Sequence, residues 1–284
     1  HWHPRWPPSF VQTIGCQALP MTAPTRAALD WPLAIARWCR QSVAYWSFNA
    51  AFLPIVIVAL LTTSGERRKA RATRLVNWWG RTTLRIFGVT LVVEPAAAAE
   101  LAQRRRRVLT FNHRSTLDIC LMTALWPPGG VAVVKRELLH LPLMGQAIAL
   151  LDFLPLDRRN PQLAQASLQA AAARMQREAL TVMIAPEGTR SLTGGLQPFK
   201  LGAFHLADQA SAPIVPLVLH GVLQIWPRSQ WYARPGVVTV AILPERPSES
   251  GSEGPQRVHA RAEELRQAYL AQLVAMDTAL PRVG

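Results

Sequence analysis

The sequence contains few cysteines and few charged residues. Its 284 residues include only three cysteines, Cys16, Cys39 and Cys120, which are widely spaced and form no C-x-x-C pair. This spacing argues against a disulfide framework and a cysteine-ligated metal site, and it indicates a reducing, cytosol-facing compartment. Charged residues make up 17% of the chain and hydrophobic residues 50%, so the composition excludes a disordered chain and allows a sizeable core.

Several motifs that bind cofactors or carry out catalysis are missing. The chain has no G-x-x-x-x-G-K-[ST] loop and no G-x-G-x-x-G turn after a strand, which argues against nucleoside triphosphates and dinucleotides as ligands. It has no G-x-S-x-G nucleophile elbow, which argues against an α/β-hydrolase. Its seven histidines do not cluster at the spacing of metal ligands. We therefore expect neither a cofactor nor a metal site.

Basic residues outnumber acidic ones by a wide margin. The chain carries 31 lysines and arginines against 17 acidic residues, a formal charge of +14, and only Lys69, Lys135 and Lys200 are lysines. This balance implies an anionic partner, namely nucleic acid, an acidic membrane or a phosphorylated substrate. No nucleic-acid recognition motif accompanies the arginine run Arg104–Arg107, so we expect a solvated or membrane-facing loop there and no nucleic-acid partner.

The most apolar stretch of the chain lies at residues 43–63. At a rise of about 1.5 Å per residue it roughly matches the thickness of a bilayer core, although Asn49 and Pro54 interrupt it. Basic residues flank both ends and give no orientation, so a spanning helix and a re-entrant or interfacial helix both remain open. A second stretch, residues 71–88, mixes arginines with tryptophans, which suits a bilayer interface. The alternative is a buried core helix with a solvated basic face.

Strands and helices alternate from residue 88 onward. The pattern predicts a strand at Val89–Val93, a polar connection at Pro95–Arg107, and an apolar helix from about Ser115 to Leu125 after the next strand. Further strands are expected near residues 108–111, 130–134, 153–156, 180–185, 214–219 and 237–243. Such alternation predicts an α/β fold, a layered and mostly parallel sheet flanked by helices, preceded by an N-terminal apolar helical membrane anchor.

The same pattern divides the chain into four parts. Residues 1–30 are expected to be disordered or an extension, with Met21 as a possible start. Residues 31–88 form the helical membrane anchor, and residues 89–245 form the α/β domain. Residues 246–284 form a linker and a C-terminal amphipathic helix.

The segment FNHRSTLD, residues 111–118, brings a histidine close to a carboxylate. On a single helix, His113 and Asp118 would lie roughly 140° apart and would not meet. They can meet if His113 lies in a loop and Asp118 in the first helical turn, as a capping box between Ser115 and Asp118 suggests. A histidine held in this way has one ring nitrogen free to accept a proton. The alternative is that Asp118 only caps the helix.

The segment APEGTRS, residues 185–191, follows a predicted strand. In parallel α/β sheets, ligands bind beyond the carboxyl ends of the strands. Arg190 suits a phosphate because its planar guanidinium can donate two parallel hydrogen bonds. The alternative is a tight surface turn with a solvated ion pair. Lys200, expected at the start of a helix over residues 199–209, is a weaker candidate because a solvated lysine explains it equally well.

Together, four blocks resemble the glycerolipid acyltransferase family. The Asn-His-x4-Asp block of the family matches Asn112–Asp118, and its Asp-Arg after a strand matches Leu154–Arg158. Its Pro-Glu-Gly-Thr-Arg-Ser block matches Pro186–Ser191, and its proline-containing apolar strand matches Ala212–Pro216. The resemblance covers about residues 70–245, and the order and spacing of four blocks make it far more specific than any single motif.

The resemblance implies a catalytic pair and an acceptor site. It implies that His113 is the general base and that Asp118 fixes its tautomer and stabilises the imidazolium. The implied acceptor site for a glycerol phosphate consists of Glu187, Gly188, Thr189 and Arg190, with Arg158 and Lys200 as additional phosphate contacts. Two departures, Ala185 and Pro155 at positions where the family often has larger residues, bear on the choice of acceptor and acyl chain.

The resemblance also implies a reaction and its partners. A fatty acyl group passes from acyl-CoA or acyl-carrier protein to the sn-2 hydroxyl of 1-acylglycerol-3-phosphate, giving phosphatidic acid for phospholipid biosynthesis. The enzyme is expected at a membrane, the inner membrane in a bacterium, with its catalytic domain facing the cytoplasm. Three alternatives remain: transfer to another lysophospholipid or lyso-aminolipid, hydrolysis through Ser115 with His113, and a non-catalytic protein that binds anionic lipid.

Overall fold

A seven-stranded, mostly parallel sheet forms the centre of the molecule. The computed structural model describes residues 31–140, 144–157, 160–191, 194–228, 230–249 and 254–279. The strands are β1 (Val89–Val93), β2 (Arg107–Phe111), β3 (Gly130–Lys135), β4 (Leu154–Leu156), β5 (Thr181–Ile184), β6 (Ile214–His220) and β7 (Gly236–Ile242). They are ordered β1-β7-β6-β2-β5-β3-β4, and only the β6–β7 pair is antiparallel.

Helices cover both faces of this sheet. They are α1 (Trp31–Leu61), α2 (Gly65–Ile86), α3 (Pro95–Leu101), α4 (Asp118–Ala124), α5 (Met144–Leu150), α6 (Pro161–Glu178), α7 (Gly202–Gln209), α8 (Val222–Ile225) and α9 (Pro255–Ala279), with a 3-10 helix at Arg136–His140. Asn160 caps α6 by accepting hydrogen bonds from two backbone amides of its first turn, and Pro161 occupies the first helical position. The α/β fold class predicted from the sequence is confirmed.

Two apolar clusters lie on opposite faces of the sheet. Successive side chains of a strand point to opposite faces, and in β2 Val108 belongs to one cluster while Leu109 belongs to the other. Helices α6, α7 and α9 cover the first face, and α2, α3 and α4 cover the second. Every residue of β6 is buried, which explains why this strand reads as a continuous apolar run.

The first helix is longer than the apolar stretch at residues 43–63. It begins at Trp31 and continues through Pro54 to Leu61, and residues 32–61 are long and apolar enough to cross a membrane. One side of α1 packs on α2 through Phe52, Val56 and Leu60. The other side leaves apolar residues exposed: Leu33, Ile35, Val43, Trp46, Ile55, Val58 and Leu61. A core helix would bury both sides, so this face is available to an apolar environment.

Helix α2 lies directly on α4, which carries Asp118. The contact is so close that a Cβ added at Gly80 would lie 2.3 Å from the backbone nitrogen of Ala124. Glycine is therefore required at this position.

The division of the chain at residues 88 and 245 stays a prediction, and residues 1–30, with Met21, lie outside the described residues.

Three predicted boundaries are wrong. The connection expected at Pro95–Arg107 contains helix α3, which starts with proline at its first position. Helix α4 begins at Asp118 and not at Ser115, because residues 116–117 form a turn before the helix. Helix α7 begins at Gly202, so Lys200 precedes the helix by two residues and does not start it.

The N-terminal end of β2 holds a buried ion pair. Arg107 is fully buried, and its guanidinium pairs with the Glu100 carboxylate. It also donates to Thr181 Oγ1 at 3.1 Å and to the Gln103 carbonyl at 3.0 Å. Burial lowers the pKa of Arg107, although Glu100 opposes this effect. The pair fixes α3 against the end of the sheet opposite to the loops described below.

Candidate active site

The candidate site is built from three loops at one edge of the sheet. We name two of them after the roles that the resemblance implies, the catalytic loop (residues 112–117, after β2) and the phosphate loop (residues 185–201, after β5), and we call the third the return loop (residues 221–235, between β6 and β7). Strands β2, β5 and β6 are parallel neighbours, so the three loops start from the same edge. This is where α/β proteins place their ligands.

His113 and Asp118 meet in the catalytic loop. The His113 Nδ1 lies 2.9 Å from the Asp118 Oδ2, and the carboxylate is fully buried whereas the imidazole is 18% exposed. The same Oδ2 accepts a hydrogen bond from the Ser115 amide at 2.8 Å, the bond that a capping box predicts. An ionised carboxylate accepts only, so Nδ1 carries the proton and Nε2 is left as the acceptor.

The environment of Asp118 is nearly dry. Burial raises the pKa of its carboxyl group, and the hydrogen bond with His113 opposes this effect. Its second oxygen, Oδ1, is buried and has no hydrogen-bond partner among the described residues. Burying an anion this way is unfavourable for folding, and such strain is frequent at functional sites.

Glu187 ties the phosphate loop to the catalytic loop. Its Oε1 accepts a hydrogen bond from the His113 amide at 2.5 Å, and its Oε2 accepts one from the Gln197 amide at 2.8 Å. Burial raises the pKa of this carboxyl group, which is almost inaccessible to solvent. The Ser191 amide donates to the His113 carbonyl at 3.1 Å and completes the connection. Both Glu187 oxygens are thus occupied by backbone amides that fix the position of His113.

Asn112 holds the other side of the catalytic loop. Its side chain donates to the Leu219 carbonyl at 2.9 Å and accepts from the Leu219 amide at 2.7 Å. The side chain thereby continues the β2–β6 ladder beyond the last strand residue. His113 is thus held from β6 by Asn112 and from the phosphate loop by Glu187.

Arg190 reaches across to the catalytic loop. Its Nη1 donates to Thr116 Oγ1 at 2.8 Å. Gly188 has a φ of +71°, and Lys200 packs so closely that a Cβ at Gly188 would lie 3.0 Å from the Lys200 Cδ. The conformation and this contact both favour glycine. Thr189 is exposed to solvent.

The structure brings most of the predicted site residues together. Five of them, His113, Glu187, Gly188, Arg190 and Lys200, belong to the catalytic and phosphate loops, and Asp118 is the first residue of α4, directly after the catalytic loop. Arg158 lies outside the described residues. Sequence reasoning did not single out Thr116, although it lies inside the first motif. It also missed Arg228 and Trp226, because the return loop carries no motif.

Ser115 is not arranged as a nucleophile. It is fully buried, and its Oγ donates to the Trp226 carbonyl at 2.5 Å while accepting from the Leu117 amide at 3.1 Å. The His113 ring bonds through Nδ1 to Asp118 and not to Ser115. This arrangement gives no support to hydrolysis through Ser115. Within the part of the chain that the structure describes, no group of three or more histidine, cysteine, aspartate or glutamate side chains could hold a metal ion.

An aromatic cavity of about 360 Å³ opens beside the catalytic loop. Helix α1 lines one side, and the return loop lines another. Thr116, Ile119 and Cys120 contribute the wall nearest to the His113–Asp118 pair. The aromatic lining residues are Trp38, Tyr45, Trp46, Trp79, Phe87, Trp226, Trp231 and Tyr232. Such a cavity suits an apolar chain.

Comparisons with known proteins bear on the family and the fold of this chain. The sequence model of the acyltransferase family matches residues 96–220. The 1-acyl-sn-glycerol-3-phosphate acyltransferase of Cocos nucifera is 37% identical over 161 residues, which cover 57% of this chain and 51% of that protein. The human 1-acyl-sn-glycerol-3-phosphate acyltransferase beta is 33% identical over 192 residues, 68% of each chain. The chain spans about half the length of the plant relatives that it matches.

A solved structure extends the similarity to the fold. The 1-acyl-sn-glycerophosphate (LPA) acyltransferase PlsC from Thermotoga maritima superposes with a TM-score of 0.68, covering 84% of this chain and 97% of that one at 19% identity. At this identity the comparison concerns the fold alone. The human match, at 33% identity over 68% of each chain, and the family-model match together show that this chain belongs to the glycerolipid acyltransferase family.

Proposed function

We propose that this protein transfers a fatty acyl group to the sn-2 hydroxyl of 1-acylglycerol-3-phosphate and thereby makes phosphatidic acid. The observation that carries the proposal is the His113–Asp118 contact of 2.9 Å beside the arginine-bearing phosphate loop. The named activity of the relatives supports the same reaction. The acyl donor is a thioester, carried by CoA or by acyl-carrier protein.

His113 acts as the general base in this reaction. Asp118 holds the proton on Nδ1, so Nε2 accepts the proton of the acceptor hydroxyl as its oxygen attacks the thioester carbonyl. A C–O bond forms, the C–S bond then breaks, and the departing thiolate takes the proton back from Nε2. Asp118 stabilises the imidazolium that exists between these steps. General base catalysis supplies about 10²–10⁴-fold, so positioning of the two substrates supplies much of the remainder.

The phosphate of the acceptor binds to Arg190, with Lys200 and Arg158 as further contacts. The bond to Thr116 Oγ1 aims the Arg190 guanidinium at the region next to His113. Glu187 and Gly188 act by shaping this loop: the carboxylate fixes the His113 amide, and the glycine lets the Lys200 side chain pass. The phosphate thus anchors the glycerol backbone on one side of the base.

An acyl chain occupies the aromatic cavity on the other side of the base. Its walls are apolar, and each methylene group moved from water into such a place contributes about 0.8 kcal/mol. The protein associates with a membrane through the exposed apolar side of α1, and its catalytic face lies on the cytoplasmic side. If the protein is bacterial, this membrane is the inner membrane. The charge of +14 attracts both anionic lipid headgroups and an anionic donor.

The test is a transfer assay with the purified full-length chain in mixed micelles. Wild-type protein is incubated with 1-acylglycerol-3-phosphate and acyl-CoA, and release of free thiol is measured together with the product mass. We expect phosphatidic acid from the wild type and no transfer by His113→Ala. Thiol release that does not depend on the acceptor, or full activity of His113→Ala, would overturn the proposal.

Two further arms of the same assay define the substrates. Acyl-carrier protein in place of CoA identifies the donor. A panel of lyso-lipids identifies the acceptor, and product formed only from an acceptor without a phosphomonoester would replace the proposed reaction by transfer to another lyso-lipid. An Arg177→Gln control, on the exposed side of α6, shows the effect of losing one positive charge far from the site.

A further inference from the structure

The return loop brings a further positively charged side chain to the site. Arg228 Nη1 donates to the backbone carbonyl of Arg190 at 3.1 Å. The loop is held there by the Ser115 Oγ bond to the Trp226 carbonyl and by a β-bridge between Ser115 and Pro227. The catalytic, phosphate and return loops therefore meet next to His113.

Arg190 and Arg228 differ in their partners from the arginines of this protein that form ion pairs. Arg105, Arg107, Arg174 and Arg261 each form an ion pair with a carboxylate. Over the residues described here, neither Arg190 nor Arg228 has a carboxylate partner, and each is bonded to a neutral oxygen that leaves most of its donors unused. The Arg228 guanidinium, bonded to the backbone of Arg190, adds positive charge beside the residue that the proposed function assigns to the phosphate.

We propose that Arg228 is a second phosphate-binding residue and that it selects a phosphomonoester over a phosphodiester acceptor. The inference rests on the proposed function. A phosphomonoester carries a charge of about −1.5 to −2 near pH 7 and three acceptor oxygens, enough for two guanidinium groups. A phosphodiester carries one negative charge and two unesterified oxygens, which Arg190 alone can satisfy. Arg228 is exposed to solvent, so an incoming acceptor also contacts it before it reaches the His113–Asp118 pair.

The test compares Arg228→Gln with Arg228→Lys and with Arg177→Gln as a charge-matched control. With 1-acylglycerol-3-phosphate as acceptor, we expect Arg228→Gln to raise KM about tenfold with kcat changed less than twofold. Arg228→Lys restores part of the affinity because it keeps the charge without the planar donor pair. The inhibition constant of soluble sn-glycerol 3-phosphate rises by the same factor as KM. Arg177→Gln changes neither quantity.

A second measurement separates the acceptor phosphate from the phosphates of the bilayer. Sedimentation with vesicles of phosphatidylcholine and phosphatidylglycerol reports binding to bulk headgroups, and we expect Arg228→Gln and Arg177→Gln to bind equally. Weaker vesicle binding by Arg228→Gln with an unchanged inhibition constant would assign Arg228 to the membrane surface and overturn the inference.

The remaining outcomes distinguish this inference from the proposed function. An active wild type whose KM is unaffected by Arg228→Gln contradicts the role of Arg228 and leaves the reaction intact. A wild type that turns over no phosphomonoester acceptor contradicts both.

Discussion

Replacing Asp118 by asparagine separates the catalytic use of the carboxylate from its effect on folding. Oδ2 accepts hydrogen bonds from His113 Nδ1 and from the Ser115 amide, and Oδ1 has no partner within the described residues. An asparagine fits this arrangement, because its carbonyl oxygen can replace Oδ2 and its amide group can occupy the site of Oδ1. The variant keeps the loop and the His113 tautomer and loses only the negative charge.

The size of the catalytic loss follows from that charge. Two unit charges about 4 Å apart interact by about 4 kcal/mol at an effective dielectric constant of about 20, and Asp118 with a protonated His113 is such a pair during the reaction. Losing this stabilisation lowers kcat by about 10³-fold. We expect KM to change little, because Asp118 is fully buried behind the histidine. Thiol release under saturating substrate measures the loss.

The melting temperature of Asp118→Asn should not fall with its kcat. Burial raises the pKa of Asp118, so the unfolded state ionises at a lower pH than the folded state. The wild type therefore loses stability as pH rises from the ordinary range of an aspartate through the raised value, and Asp118→Asn does not. At pH 7 the variant should melt at the wild-type temperature or above it, and near pH 3 this advantage should vanish. Near-normal kcat, or a large drop in melting temperature at pH 7, would refute the reasoning.

Three further variants test other contacts. Thr116→Val removes the acceptor of the Arg190 Nη1 hydrogen bond and should raise KM for the phosphate acceptor about tenfold at constant kcat. Thr116→Ser should restore KM, and a fall in kcat alone would contradict the positioning role. Gly80→Ala places a methyl group into the backbone of α4 and should destabilise the protein by about 1–3 kcal/mol while lowering kcat, as thermal melting and the transfer assay report. Glu100→Gln leaves the buried guanidinium of Arg107 without its counter-ion and should lower the free energy of unfolding in urea by about 3–5 kcal/mol with kcat unchanged.

Local patterns predict the strand positions and the contact between His113 and Asp118 well. The strands are mostly apolar runs of three to seven residues bounded by turn residues, and the central strands β2, β5 and β6 are almost entirely buried. The bond from the Ser115 amide to Asp118 is the half of a capping box that forms, and this local rule places Asp118 near His113 although α4 begins only at Asp118. The error at α3 has a physical reason as well: its alanines are helix-forming but not amphipathic, so the segment shows no apolar period.

Local sequence patterns do not predict how side chains from distant parts of the chain face one another. The sequence identifies Glu187 as a carboxylate in a motif, but only the folded loops show both of its oxygens facing backbone amides. Arg228 reaches the site because the connection from β6 to β7 folds back over the catalytic loop, and no local pattern encodes that path. The aromatic cavity joins Trp38 to Trp231, which are in edge-to-face contact with ring centroids 5.0 Å apart.

The position of the cavity connects the proposed membrane association to the proposed chemistry. Trp46, Ile119 and Trp231 line the cavity and are also 45–69% exposed, so its mouth lies on an apolar part of the surface. That surface continues along the exposed side of α1, whereas Arg190 lies across Thr116 on the phosphate loop, with Arg228 bonded to its backbone. A lyso-lipid bound in the proposed way keeps its chain toward the apolar side and its phosphate toward the cations, with the hydroxyl between them beside His113. The acceptor then reacts without its acyl chain crossing water, which would oppose binding by about 0.8 kcal/mol for each exposed methylene.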